Sequence, residues 1–221
     1  MPRFLRNNGL SLALLGLFLG TLVGQYLTGW RSYNQDQQDH NQPHVSLGEY
    51  LGEGHFIEAV FENWESEFLQ DAVYVIFTVF LIQRGSSESK DPDKEEAVDA
   101  DPRQAQNDPN APWPVRRGGV WLSLYKHSLL ITFVLLFAFS FTLHAIGGAE
   151  DFSSEQLQHG GEAVSAMEYI GTSRFWFESF QNWQSEFLAL FSMIVLSIFL
   201  REQGSPESKP VASPHSETGS A

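Results

Sequence analysis

The sequence predicts an all-α integral membrane protein with four transmembrane helices, made by tandem duplication of a two-helix unit. Three observations carry that prediction. The mean hydropathy of the chain is slightly negative, yet the apolar residues are bunched into four runs separated by polar gaps. The stretch Phe61-Glu62-Asn63-Trp64-Glu65-Ser66-Glu67-Phe68-Leu69 returns 119 residues later as Phe180-Gln181-Asn182-Trp183-Gln184-Ser185-Glu186-Phe187-Leu188. Lys and Arg are divided unevenly among the polar gaps, in the way that sets membrane orientation.

The first repeat is expected over residues 1–84. Arg3 and Arg6 precede Gly9–Leu27, a run of about 19 residues without a charge, close to the length that crosses a hydrocarbon core of ~30 Å. A cleaved signal peptide is the competing reading. Its apolar region would be unusually long, and Leu22-Val23-Gly24 is a poor cleavage site, so an uncleaved span is expected over about 9–28. A polar outer loop follows, in which Ser46-Leu47-Gly48-Glu49 has the capping-box pattern. The second apolar run, Phe68–Ile82, is too short to cross alone. A continuous helix from about Phe56, with Trp64 at the interface, reaches the needed length and places a span at about 64–83.

Residues 85–119 are rich in Ser, Asp, Glu, Pro and Lys. Such composition buries too little surface to offset ordering entropy, and a disordered cytoplasmic linker is expected there. Trp113, Trp121 and Tyr125 mark the second approach to the membrane. The second repeat, 120–203, carries spans at about 128–146 and 183–201. The tail, 204–221, is again read as disordered and cytoplasmic.

The two halves align without a gap at the same offset. Gly29 meets Gly148, His40 meets His159, Val45-Ser46 meets Val164-Ser165, and Glu49-Tyr50 meets Glu168-Tyr169. Gly85-Ser86 and Glu88-Ser89-Lys90 return as Gly204-Ser205 and Glu207-Ser208-Lys209. With two spans per unit, both units enter the membrane in the same direction, so the repeats are parallel and related by an axis along the membrane normal. Eleven Lys and Arg residues fall on the side of the termini and linker, against Arg31 and Arg174 on the other. That bias puts both termini in the cytoplasm of a multi-pass inner-membrane protein. The outer segments then hold 16 carboxylates. Depletion of bases by the orientation rule accounts for the excess, and recruitment of cations is the functional alternative.

Composition also excludes classes of function. There is no cysteine, hence no disulfide, thiolate metal site or thiol catalysis. A net charge of −14 argues against nucleic acid or anionic lipid as a main partner, and 18 Phe and 6 Trp suit a lipid bilayer. No P-loop, dinucleotide fingerprint, zinc-protease motif or nucleophile elbow is present.

The candidate site residues are those of the repeated motif: Asn63, Trp64, Ser66 and Glu67, with Asn182, Trp183, Ser185 and Glu186. Carboxylates at a membrane margin are costly unless paired or hydrated. Glu67 and Glu186 are therefore read either as interhelical locks or as an ion path, the lock being favoured. Trp64 and Trp183 suit an interfacial belt, and Ser66 and Ser185 suit bonds to backbone carbonyls or to the neighbouring acids. No metal site or cofactor is assigned. His40 and His159, each with an acid four residues earlier (Asp36, Glu155), come nearest to metal half-sites. Gly16, Gly20 and Gly24 form a smooth ridge suited to helix packing.

Several of these pieces together resemble a family of uncharacterised bacterial membrane proteins known only as a domain of unknown function. They are Arg6-Asn7-Asn8-Gly9-Leu10, Phe61–Leu69, Ala111-Pro112-Trp113-Pro114-Val115-Arg116-Arg117-Gly118-Gly119, Phe175–Trp183 and Gly204-Ser205-Pro206-Glu207-Ser208-Lys209. The resemblance covers nearly the whole chain. It implies a bacterial source and a membrane location, and supplies no activity. The expectation is a non-enzymatic structural or partner-binding envelope protein, in contact with a homo-oligomer or membrane-protein partner. The alternative is a small cation-handling transporter or channel that uses Glu67 and Glu186.

Overall fold

The computed structural model describes residues 3–219, and among these the chain is helical with no strand. The long helices are α1 (Arg3–Asp39), α3 (Gly54–Phe80), α6 (Ser128–Gln158) and α8 (Ser173–Phe199). Shorter helices lie between them: α2 (Leu47–Tyr50), α4 (Trp113–Arg117), α5 (Gly119–Lys126) and α7 (Ala166–Ile170). Three helices, α1, α6 and α8, are long and apolar enough to cross a membrane. No residue in the apolar window of α1 is buried by the rest of the chain. Unclaimed apolar surface on that scale needs lipid or another apolar partner, and the protein is membrane-associated.

α3, which carries the second expected span, is not among the three. Glu62, Glu65, Glu67 and Asp71 punctuate it, and the uncharged part that follows runs only from Ala72 to Phe80. The first polar gap also differs from a simple loop, because α1 continues through it to Asp39. It stops where Asn41 adopts a left-handed conformation (φ 58°) and Gln42 N–H donates back to the Gln37 carbonyl at 2.8 Å. That six-to-one bond is the Schellman termination. α6 ends the same way, with Gly160 at φ 77° and Gly161 N–H donating to the Gln156 carbonyl at 2.7 Å.

The chain divides into two compact units. The first comprises Met1–Glu62 and Phe141–Trp176. Its buried core is Ala145, Ala149, Tyr169 and Phe175. Two aromatic corners recur within it. Tyr50 stands 5.6 Å from Tyr33 and 5.4 Å from Phe56; Tyr169 stands 5.7 Å from Phe152 and 5.6 Å from Phe175, ring centre to ring centre. Each tyrosine lies over a glycine, Gly29 or Gly148, where a Cβ would collide with its ring or hydroxyl. Capping boxes at Ser46–Glu49 and Ser165–Glu168 start α2 and α7. Asn34 ties the following extended segment to α1, its Oδ1 accepting from Val45 N–H at 2.8 Å. Ser153 does the same on α6, its Oγ accepting from Val164 N–H at 2.9 Å. α3 and α6 meet backbone to backbone in this unit, since a Cβ on Gly54 would sit 2.6 Å from the Gly147 carbonyl oxygen.

The second unit comprises Asn63–Ser140 and Phe177–Ala221. Residues after α3 and after α8 form the same turn. Gly85 and Gly204 have φ of 91° and 88°. Ser86 and Ser205 accept from Glu88 N–H and Glu207 N–H through Oγ at 3.1 and 3.2 Å. Ser89 and Ser208 accept from Gln83 N–H and Glu202 N–H, both at 3.0 Å. Hydroxyl-to-backbone bonds of this kind shape turns in polar segments. Lys209 is buried, and its Nζ donates to the carbonyls of Gly85, Pro214, His215 and Glu217.

Candidate functional site

The motif residues all fall in the second unit, on the parts of α3 and α8 that belong to it. The two serines turn back onto their own helices: Ser66 Oγ donates to the Asn63 carbonyl and Ser185 Oγ to the Asn182 carbonyl, both at 2.8 Å. Asn182 Nδ2 donates to the Glu178 carbonyl at 3.0 Å. Trp64 packs edge-on against Phe68 at 6.5 Å. The ties between helices use other atoms. Trp183 Nε1–H donates to Glu65 Oε1 at 3.0 Å, and Glu65 is fully buried. Gln70 Nε2 donates to the Glu186 carbonyl at 3.1 Å. Glu67 is within electrostatic reach of Glu186 and Asp71, so three carboxylates share one neighbourhood.

A second polar constellation occupies the first unit, where α1 and α6 end beside a cavity of about 470 Å³. Its lining includes Tyr33, Asp36, His40, His55, Asp151, Glu155 and His159. His40 Nδ1–H donates to the Asp36 carbonyl at 3.0 Å, and His159 Nδ1–H to the Glu155 carbonyl at 2.8 Å. The imidazole rings stand 6.5 Å apart, edge to face. His55 Nδ1 pairs with the Tyr50 hydroxyl at 2.8 Å, and the Tyr33 hydroxyl donates to Glu53 Oε2 at 3.0 Å. Arg174 holds Asp151 at 3.4 Å and also pairs with Glu155.

Burial dominates the electrostatics there. It pushes the Asp151 carboxyl above the usual range, against the pull of His55, Arg174 and a hydrogen bond with Glu58. It pushes Tyr50 up to about 12. Tyr33 is raised by burial and then by Glu53 beside it. Glu58 also accepts from the Tyr169 hydroxyl at 3.1 Å. Burial and the neighbouring acids thus keep protons on its phenols.

A family model for a domain of unknown function, DUF6766, matches residues 1–220. The chain belongs to that family. No curated protein and no solved structure matches it. Membership covers the motif and the cavity alike and gives neither a chemistry. Several members of both constellations carry no signal by recurrence. Glu65 meets Gln184, Glu58 meets Phe177 and Asp151 meets Ser32 at the offset of 119, so pairing the halves passes over all three buried or half-buried acids. For Glu58, between Ile57 and Ala59, the one sequence signal is an acid among apolar neighbours, a placement that demands a partner.

Proposed function

We propose that this DUF6766 chain is a four-span inner-membrane protein of a bacterium, built by duplication, with both termini cytoplasmic and a non-enzymatic scaffolding or partner-binding role. The observation that carries the role is the use made of the motif: Trp183 to Glu65 and Gln70 to the Glu186 carbonyl tie α3 to α8. Polar groups between membrane helices act as such ties. Duplication is supported by the paired aromatic corners, capping boxes, Schellman ends and Gly-Ser turns of the two halves. A fourth span along α3 is supported by its 27-residue length and by the excess of Lys and Arg on the side of the linker.

The grouping of Glu67, Asp71 and Glu186 favours a second reading, cation handling, because clustered membrane carboxylates mark ion and proton paths. One reconstitution separates the two. On the scaffold reading, Trp183→Phe lowers thermal stability in detergent by about 1 kcal/mol, and proteoliposomes of the unaltered protein show no proton or Na⁺ flux. A flux lost in the Glu67→Gln/Glu186→Gln double variant, with melting retained, would replace scaffold with transport.

A further inference from the structure

We propose that the cavity at the ends of α1 and α6 binds a divalent transition-metal ion through Nε2 of His40 and Nε2 of His159. The site uses none of Glu65, Glu67 or Glu186 and stands independently of the reading above.

A carbonyl oxygen can only accept, so the bonds to Asp36 O and Glu155 O place the proton of each neutral imidazole on Nδ1. That leaves the Nε2 lone pair of each ring for a ligand. A backbone carbonyl that orients the other nitrogen is the usual outer partner of a metal-bound histidine.

A tetrahedral ion with metal–nitrogen bonds of about 2.0–2.1 Å holds two imidazole centres roughly 5–6 Å apart. The observed 6.5 Å lies just beyond that range, between two exposed side chains. Each histidine alone could be explained as the end of its helix bonding its own last turn. The meeting of two such rings from two helices, across one polar cavity, is not explained that way.

Charge agrees with a cation. α1 ends at Asp39 and α6 at Gln158, so two helix C-termini, each worth about half a negative charge, border the cavity. Asp36, Asp151 and Glu155 line it, outnumbering Arg174, which pairs with the latter two. Asp36 has no such arginine partner and lies beside the His40 ring, its Oδ1 3.5 Å from Nδ1, and water completes the coordination. Two imidazoles select for Zn²⁺, Ni²⁺ or Cu²⁺ over Mg²⁺ and Ca²⁺, which prefer all-oxygen sites.

The test is calorimetric titration of the full-length protein in detergent micelles with Zn²⁺ and, separately, Mg²⁺. One Zn²⁺ per chain is expected to bind saturably. His40→Ala and His159→Ala should each weaken it at least about tenfold, while His44→Ala, outside the cavity lining, leaves it unchanged. Because the ion would join α1 to α6, Zn²⁺ should also raise the melting temperature of the unaltered protein and not that of the double variant. Absence of saturable Zn²⁺ binding overturns the proposal. So does binding that survives His40→Ala/His159→Ala, or Mg²⁺ binding of equal strength.

Discussion

At the scale of single residues, Asp151 shows how the first unit controls a charge. Its carboxyl is raised chiefly by burial, so between the ordinary value of about 3.9 and the raised one the folded state holds a proton that the unfolded chain has released. A raised acid contributes stability below the unfolded value and loses it as pH climbs through the folded one. Melting temperature in detergent is therefore expected to fall as pH is raised from about 4 through that higher value. Asp151→Asn should flatten this part of the curve; an unchanged slope would assign the dependence to other groups. Asp151 is not conspicuous in the sequence because the groups that act on it include His55 and Glu58, which lie far from it along the chain. Glu65 is a similar case. Recurrence drew attention to Glu67, whose counterpart Glu186 is also an acid, while the buried partner of Trp183 sat two residues away.

At the scale of elements, helix contacts in the first unit depend on hydrogen-sized side chains at a few crossings. A Cβ on Gly148 would come within 2.8 Å of Tyr169 Cζ and Oη, and Tyr169 is enclosed by Phe152, Phe175 and Glu58. A Cβ on Gly29 would chiefly meet the Tyr50 hydroxyl, the tip of a side chain. Gly148→Ala is expected to destabilise by about 1–3 kcal/mol, as overpacking of a core does, and Gly29→Ala by less. Equal melting temperatures for the two variants would contradict that order. Both capping boxes were legible in the sequence, since each rests on local chemistry at fixed spacing. Helix ends were less so. α1 and α6 run on past the apolar residues because nothing breaks a polar helix until Asn41 and Gly160 adopt left-handed backbone, and hydropathy is blind to that. The ridge of Gly16, Gly20 and Gly24 is expected to pack, yet among the described residues nothing beyond the local helix backbone lies within 4 Å of a Cβ placed at any of them.

At the scale of the whole molecule, the proposed topology makes a sharp statement about the segment around Gly160. With four spans it lies outside the cytoplasm; with only α1, α6 and α8 crossing, it lies inside. An alkaline phosphatase fused after Gly160 is expected to be active, and an inactive fusion would remove α3 from the set of spans. All-helical class and long apolar helices were readable because lipid imposes length and composition directly. The turns within the polar segments were not, because composition weighs side chains and ignores what their hydroxyls and amines can do for the backbone. Lys209 is the clearest instance. Its ammonium is spent on carbonyls contributed by Gly85 and by Pro214, His215 and Glu217, and Gly219 N–H returns to the Ser86 carbonyl at 2.9 Å. Neither segment can peel away without stranding a charge and several acceptors at once. The start of the linker and the tail must therefore open and close as one cooperative body, coupling the dynamics of segments more than a hundred residues apart.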